Sequence, residues 1–248
     1  MQNLLLSYYG DDLTGSTDVM EALELGGVAT VLFMRQPDEA LLLQFRHCRA
    51  IGLAGTSRSE TPQWMDTHLK HAFTWLKTLN AEICHYKVCS TFDSSPTIGS
   101  IGRAIEIGRS VFSQDSVPLV VGAPQLKRIN IVLLDVDSLE TQALAGKEIW
   151  RVRRPGGTFV VGSSGIEYAL LAEWASDGIV RAEPGFSPPG AADRIAVVSG
   201  SCSPTTERQI RHALTDGFDG IEVDPVELVS EASSDAIARA VFTGRASL

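Results

Sequence analysis

Residues 4–18 read Leu4-Leu5-Leu6-Ser7-Tyr8-Tyr9-Gly10-Asp11-Asp12-Leu13-Thr14-Gly15-Ser16-Thr17-Asp18. The apolar run Leu4–Tyr9 is too short for a buried helix and reads as a buried strand that stops at Gly10-Asp11-Asp12. A helical period then runs from Asp18 to Leu25 and ends at Gly26-Gly27. Strand, polar loop and helix follow one another within a few residues. The same unit repeats outward: strand Val28–Met34; strand Ile51–Ala54, loop Gly55–Thr61 and helix Pro62–Leu79; strand Ile83–Val88, loop Cys89–Pro96 and helix Gly99–Val111. Strands Leu119–Val121 and Ile131–Leu134 come next, then a loop as far as strand Thr158–Val161. Gly162-Ser163-Ser164-Gly165 leads from that strand into helix Ile166–Trp174. This alternation predicts an α/β fold with a mostly parallel sheet.

A cluster of Pro184, Gly185, Pro188, Pro189 and Gly190 interrupts the pattern. It predicts a first domain over 1–183, a linker over 184–193, and the beginning of a second α/β domain over 194–248. The second part is expected to hold strand Arg194–Ser199, helix Thr206–Thr215 and strand Gly220–Val223. With 44% apolar and 21% charged residues, the 248-residue chain is an ordinary globular one. A net charge of −9 argues against a nucleic-acid partner. No apolar stretch is long enough to span a bilayer, so no membrane partner is expected. The start of the chain lacks a basic leader and the four cysteines have no CxxC spacing, so a reducing cytoplasm is the expected location. The histidines show no HExxH or HxxxH pattern, and no metal ligands are predicted.

In an open parallel sheet, ligands bind beyond the carboxyl ends of the strands. The first such loop offers Asp11, Asp12 and Thr14 between two glycines. Adjacent carboxylates repel phosphate, which rules out a dinucleotide fingerprint; they suit substrate hydroxyls, a metal or a proton acceptor. The plainer alternative is that Asp12 or Thr14 caps the next helix. The second loop offers Ser57 and Arg58, whose planar fork can grip a carboxylate. The third offers Lys87, Ser90, Asp93 and Ser94; its plainer reading is a helix start with Ser94 or Ser95 as cap and Pro96 in the first turn. The turn Gly200–Pro204 opens a helix, where backbone amides can receive an anion.

GDDLTGSTD, KVCSTFDSSP, VGAP, VGSSG and SGSCSPTTERQI occur in this order, and together they resemble the four-carbon acid sugar kinase family. The resemblance implies an ATP-dependent kinase that phosphorylates a hydroxyl of a four-carbon sugar acid of the threonate, erythronate or 3-oxo-tetronate class. It implies that the N-terminal domain holds the acid sugar and the C-terminal domain the nucleotide, with Mg²⁺ in attendance. Asp11, Asp12, Thr14, Ser57, Arg58, Lys87, Ser90, Asp93 and Ser94 then fall in the sugar site, and Gly200, Ser201 and Ser203 at the start of the nucleotide site. Arg58 and Lys87 suit the carboxylate, while Asp11, Asp12 and Asp93 suit hydroxyls. Asp12 is the expected acceptor of the hydroxyl proton and Asp11 the second choice. Relative to the family, a basic and aromatic segment is missing after Val121-Gly122-Ala123-Pro124-Gln125-Leu126-Lys127-Arg128, and so are the later glycine-rich loops. The alternative is therefore a non-catalytic sugar-acid-binding module without a complete ATP site. A homodimer is the expected assembly. A nicotinamide-dependent oxidoreductase is disfavoured by the carboxylate pair and the lack of GxGxxG.

Overall fold

The structure, a computed structural model, describes residues 4–120, 131–181, 190–200 and 204–247. It divides into two compact units, Met1–Ser187 and Pro188–Leu248. The first is built on a seven-stranded parallel sheet: β1 (Leu6–Gly10), β2 (Thr30–Phe33), β3 (Ala50–Ala54), β4 (Ile83–Lys87), β5 (Val117–Val120), β6 (Ile131–Leu134) and β7 (Thr158–Gly162). Their order across the sheet is β2-β3-β1-β4-β7-β5-β6. Every residue of β1, β3, β4 and β7 is buried, as expected of parallel strands covered on both faces.

Helices α1 (Leu13–Leu25), α2 (Glu39–Gln44), α3 (Pro62–Thr78), α4 (Ile101–Phe112), α5 (Leu139–Arg151) and α6 (Gly165–Ser176) connect the strands. Side chains alternate between the faces of each strand, so Tyr9, Tyr86 and Phe159 join a core with Phe73 of α3 and Ile105 of α4. Leu6, Tyr8, Ile83 and Val160 join the opposite core with Val19 of α1, Ile149 of α5 and Trp174 of α6. The sheet is thus the middle layer of three, and its central strand is β4, flanked by β1 and β7.

Several elements depart from expectation. α1 begins at Leu13 rather than Asp18, because the Asp12 side chain caps it by accepting the Gly15 amide at 2.5 Å. α4 begins at Ile101 with Ser100 as its cap, so Pro96 lies in the loop ahead of it. The loop expected before Thr158 contains α5, capped reciprocally by Ser138 and Thr141.

The second unit contains α7 (Pro204–Thr215), α8 (Pro225–Leu228) and α9 (Ser233–Ser247). The strands expected at Arg194–Ser199 and Gly220–Val223 do not form. A strand needs a hydrogen-bonded neighbour, and these apolar segments have none among the described residues: Ile195, Val197 and Val198 are exposed, Val198 almost completely. Position 121, the VGAP motif, Ser201 and Ser203 lie outside the described residues.

Candidate functional site

β3, β1 and β4 are adjacent and parallel, so the loops at their carboxyl ends meet at one edge of the sheet. The backbone stitches them together. The Asp11 amide donates to the Lys87 carbonyl at 2.9 Å, and the Arg58 amide donates to the Asp11 carbonyl at 3.0 Å. A short 3₁₀ turn, Ser57–Ser59, presents Arg58 above β1. The loops enclose an open cleft of about 540 Å³ lined by Asp11, Asp12, Thr14, Thr56, Arg58 and Ile98, among others.

The two adjacent aspartates sit in opposite environments. Asp11 is 4% exposed, and its Oδ1 has no hydrogen-bond partner among the described residues. Burial, reinforced by the Asp12 charge, raises its carboxyl to about 6 despite the opposing pull of Lys87 and Arg58. Asp12 is partly buried too, which works against its charge. The Gly15 amide, the Arg58 guanidinium at 2.7 Å and the Thr14 hydroxyl at 3.1 Å outweigh that and hold it below the usual carboxylate range. Asp12 is held by three protein donors, while one oxygen of Asp11 has none among the described residues.

Arg58 ties all three loops together. Its Nη1 donates to Asp12 and its Nη2 donates to Asp93 at 2.8 Å. The Thr91 hydroxyl also donates to Asp93, at 2.7 Å, and these bonds together lower the Asp93 carboxyl. Lys87 is buried at the end of β4, with its Nζ 3.4 Å from Asp18 of α1. Gly15 leaves room for this group: a Cβ there would lie 2.9 Å from Asp12 Oδ1 and 3.2 Å from Lys87 Nζ.

Asp11, Asp12, Thr14 and Arg58 are therefore brought together on the cleft, with Asp93 joined through Arg58 and Lys87 behind Gly15. The other expected residues stand elsewhere. Ser57 is fully buried, with its hydroxyl 3.0 Å from that of Tyr86 in the core. Ser94 accepts the Ile101 amide at the start of α4, and Ser90 is exposed on the same loop. Gly200 is exposed in the second unit, where an added Cβ would meet nothing within 4 Å.

Two features escaped the sequence reading. Asp18 is the counter-ion of Lys87, and only the length of α1 places it there. His85, two residues before Lys87 on the same face of β4, lies fully buried with Glu167 of α6, its Nδ1 2.5 Å from Oε1. Its Nε2 donates to the Gly162 carbonyl at 3.0 Å, because a carbonyl can only accept, and the Nδ1–Oε1 contact shares a further proton between the ring and Glu167. Strand alternation placed His85 on the α6 face; the partner, 82 positions away, carried no local signal.

Comparison with known proteins is consistent along the chain. Residues 6–132 match the family model of a sugar-binding N-terminal domain, and residues 196–248 that of a nucleotide-binding C-terminal domain. A 3-oxo-isoapionate kinase of Paraburkholderia graminis is 36% identical over 96% of this chain and 66% of its own length. A 3-oxo-tetronate kinase of Salmonella typhimurium is 24% identical over 96% of this chain and 70% of its own. The chain thus spans about two thirds of the length of these curated relatives. The first alignment covers 312 positions against 248 residues here, so that relative carries residues within the aligned span that have no counterpart in this chain. Among solved structures, a protein of Salmonella typhimurium LT2 shares the fold with a TM-score of 0.67 and 18% identity, over 97% of this chain and 71% of that one. A Bordetella bronchiseptica domain of unknown function, solved with bound citrate as a domain-swapped dimer, shares it with a TM-score of 0.57 and 16% identity, over 98% and 71%.

Proposed function

The chain belongs to the four-carbon acid sugar kinase family, and from that membership we propose that it transfers the γ-phosphoryl group of ATP to a hydroxyl of a four-carbon sugar acid. Threonate, erythronate and the 3-oxo-tetronates are the candidate substrates, and the cleft at the ends of β3, β1 and β4 is their site. Arg58 and Lys87 are its cations. Among the described residues no three His, Cys, Asp or Glu side chains converge to hold a metal. Mg²⁺ is accordingly assigned to the nucleotide phosphates, its common mode of binding in kinases. The nucleotide is assigned to residues 196–248, with open backbone at Gly200. The Bordetella protein is a domain-swapped dimer, and a homodimer is proposed here too. No helix among the described residues is long and apolar enough to cross a membrane, and a cytoplasmic location is part of the same proposal.

The observation that carries the reading is Asp11. Phosphoryl transfer asks of the protein mainly alignment, charge neutralisation and an acceptor for the hydroxyl proton. A buried carboxylate with an unpartnered oxygen on the cleft, raised to about 6, is matched to that last task at neutral pH. In this proposal Asp11 takes first place as proton acceptor and Asp12 second. The Asp12 charge is spent on the cap of α1 and on Arg58, which makes it a poor base. The substrate oxygen attacks the γ-phosphorus, its proton passes to Asp11, and ADP leaves.

Steady-state turnover with ATP against a panel of four-carbon acids tests this. Asp11→Asn is expected to lower kcat at least ~100-fold with little change in KM for the acid. The wild-type rate rises with pH through about 6, because the base must be ionised, and the variant lacks that limb. An unchanged kcat in Asp11→Asn removes the assignment. Binding of the acid without any turnover by the wild-type chain would leave a sugar-acid-binding module.

A further inference from the structure

The cleft has too many carboxylates for an anionic ligand. Asp11 and Asp12 line it with Arg58, Asp93 joins them through Arg58, and the second cation, Lys87, is buried behind Gly15 against Asp18. The guanidinium that should receive a substrate carboxylate is already shared, Nη1 with Asp12 and Nη2 with Asp93.

The two occupants are held very differently. The Asp12 side chain is 25% exposed, caps α1 and is bound by both Gly15 and Thr14. Moving it would uncap the helix. The Asp93 side chain is 65% exposed, and apart from Arg58 its one side-chain partner among the described residues is Thr91, in the same loop. Released from Arg58, Asp93 would return to water with little loss, because exposed ion pairs contribute little.

We propose that Asp93 is an internal stand-in for the ligand's carboxylate: it occupies Arg58 Nη2 until a sugar acid binds and displaces it. This rests on the reading of Arg58 as the carboxylate grip. It replaces the hydroxyl-acceptor role expected of Asp93 from the sequence. The consequence is selectivity. A carboxylate can replace a carboxylate on a guanidinium, since both make charge-assisted bonds about twice as strong as neutral ones. The hydroxyl of an uncharged polyol cannot, so Asp93 screens out neutral four-carbon alcohols at the cost of some affinity for the acids.

Calorimetric titration of the full chain without nucleotide separates the inference from its premise. The probes are erythronate and threonate, with erythritol as the neutral control, and the proteins are wild type, Asp93→Asn, Thr91→Val and Arg58→Ala. Asp93→Asn is expected to bind the acids about two- to five-fold more tightly, the range set by an exposed ion pair. Its affinity for erythritol should rise as well, because the group that excludes the neutral alcohol from Arg58 is gone, so the preference for acids narrows. Thr91→Val, which loosens the other tether, moves acid affinity in the same direction and serves if Asp93→Asn does not fold. Arg58→Ala abolishes acid binding. If Asp93→Asn binds the acids equally or more weakly while Arg58→Ala still abolishes binding, Asp93 is a bystander or a direct contact; the inference fails and the premise stands. If Arg58→Ala binds like wild type, or wild type binds neither acid, the premise fails and takes the inference with it.

Discussion

Asp11 is a residue at which stability and chemistry pull apart. Its carboxyl titrates near 6 in the fold against 3.8 in the unfolded chain, because burial penalises the charge. A carboxyl raised in this way favours the fold fully below about pH 4, and that contribution is lost as pH rises through about 6. Above that pH the protein carries a buried, incompletely solvated anion. Asp11→Asn removes the anion and keeps the shape, so the variant should gain on wild type as pH rises, by about 2–3 kcal/mol at most at pH 8, about a third of that at pH 4.5 and little at pH 3. Denaturant unfolding followed by tryptophan fluorescence measures this for the sheet-bearing unit, since Trp64, Trp75, Trp150 and Trp174 all lie within it. A gap that stays constant with pH would place the Asp11 carboxyl near its ordinary value. The density of polar groups after the first strand was readable in sequence. The division of labour between Asp11 and Asp12 was not, because Arg58, 46 positions away from Asp12, decides it.

At the scale of elements, what the sequence pattern revealed depended on contrast. β1, β3, β4 and β7 are short apolar runs bounded by Gly, Ser or charged residues, and they stood out. α5 did not. Its residues Leu139-Glu140-Thr141-Gln142-Ala143-Leu144-Ala145-Gly146-Lys147-Glu148-Ile149-Trp150-Arg151 bury only Ala145, Gly146, Ile149 and Trp150, and a mid-helix glycine argues locally against a helix. Tertiary contact supplies the reason for Gly146. A Cβ there would lie 1.9 Å from the Ala169 carbonyl oxygen of α6, which is backbone and cannot turn aside. Gly146→Ala gains up to ~1 kcal/mol of helix propensity and forces the two helices apart. The expected net effect is a loss of about 1–3 kcal/mol. Trp150 and Trp174, packed edge-to-face at 5.7 Å between these helices, report the change in fluorescence during denaturation. A more stable variant would mean that α5 and α6 stand further apart than described. The opposite error occurred at Ile195–Val198, where β-branched residues resemble a buried strand but meet no neighbouring strand. Local sequence reports the propensity to be a strand; it does not report whether a ladder exists to join.

At the scale of the whole chain, the two units differ in what secures them. The first is covered on both faces of its sheet, with Tyr8, Tyr86, Phe73, Phe159 and Trp174 essentially inaccessible to water. Among the described residues of the second, Ala236 is the one buried apolar side chain, while Val198, Val226, Val229 and Phe242 are largely exposed. Helices of 15 residues or fewer, such as α7, α8 and α9, are marginal in water unless an apolar face is covered. Amide exchange should therefore fall into two classes. Amides of β1, β3 and β4 exchange only when the sheet opens, whereas those of α7, α8 and α9 exchange at least ~100-fold faster through local opening. Adding erythronate should slow exchange further around Asp11, Asp12 and Arg58 and leave α7–α9 unchanged, because the acid is assigned to the first unit. Equal protection in both units without ligand would mean that the apolar side chains of Pro188–Leu248 are covered in solution, with self-association of the chain as the first cause to test by the concentration dependence of exchange.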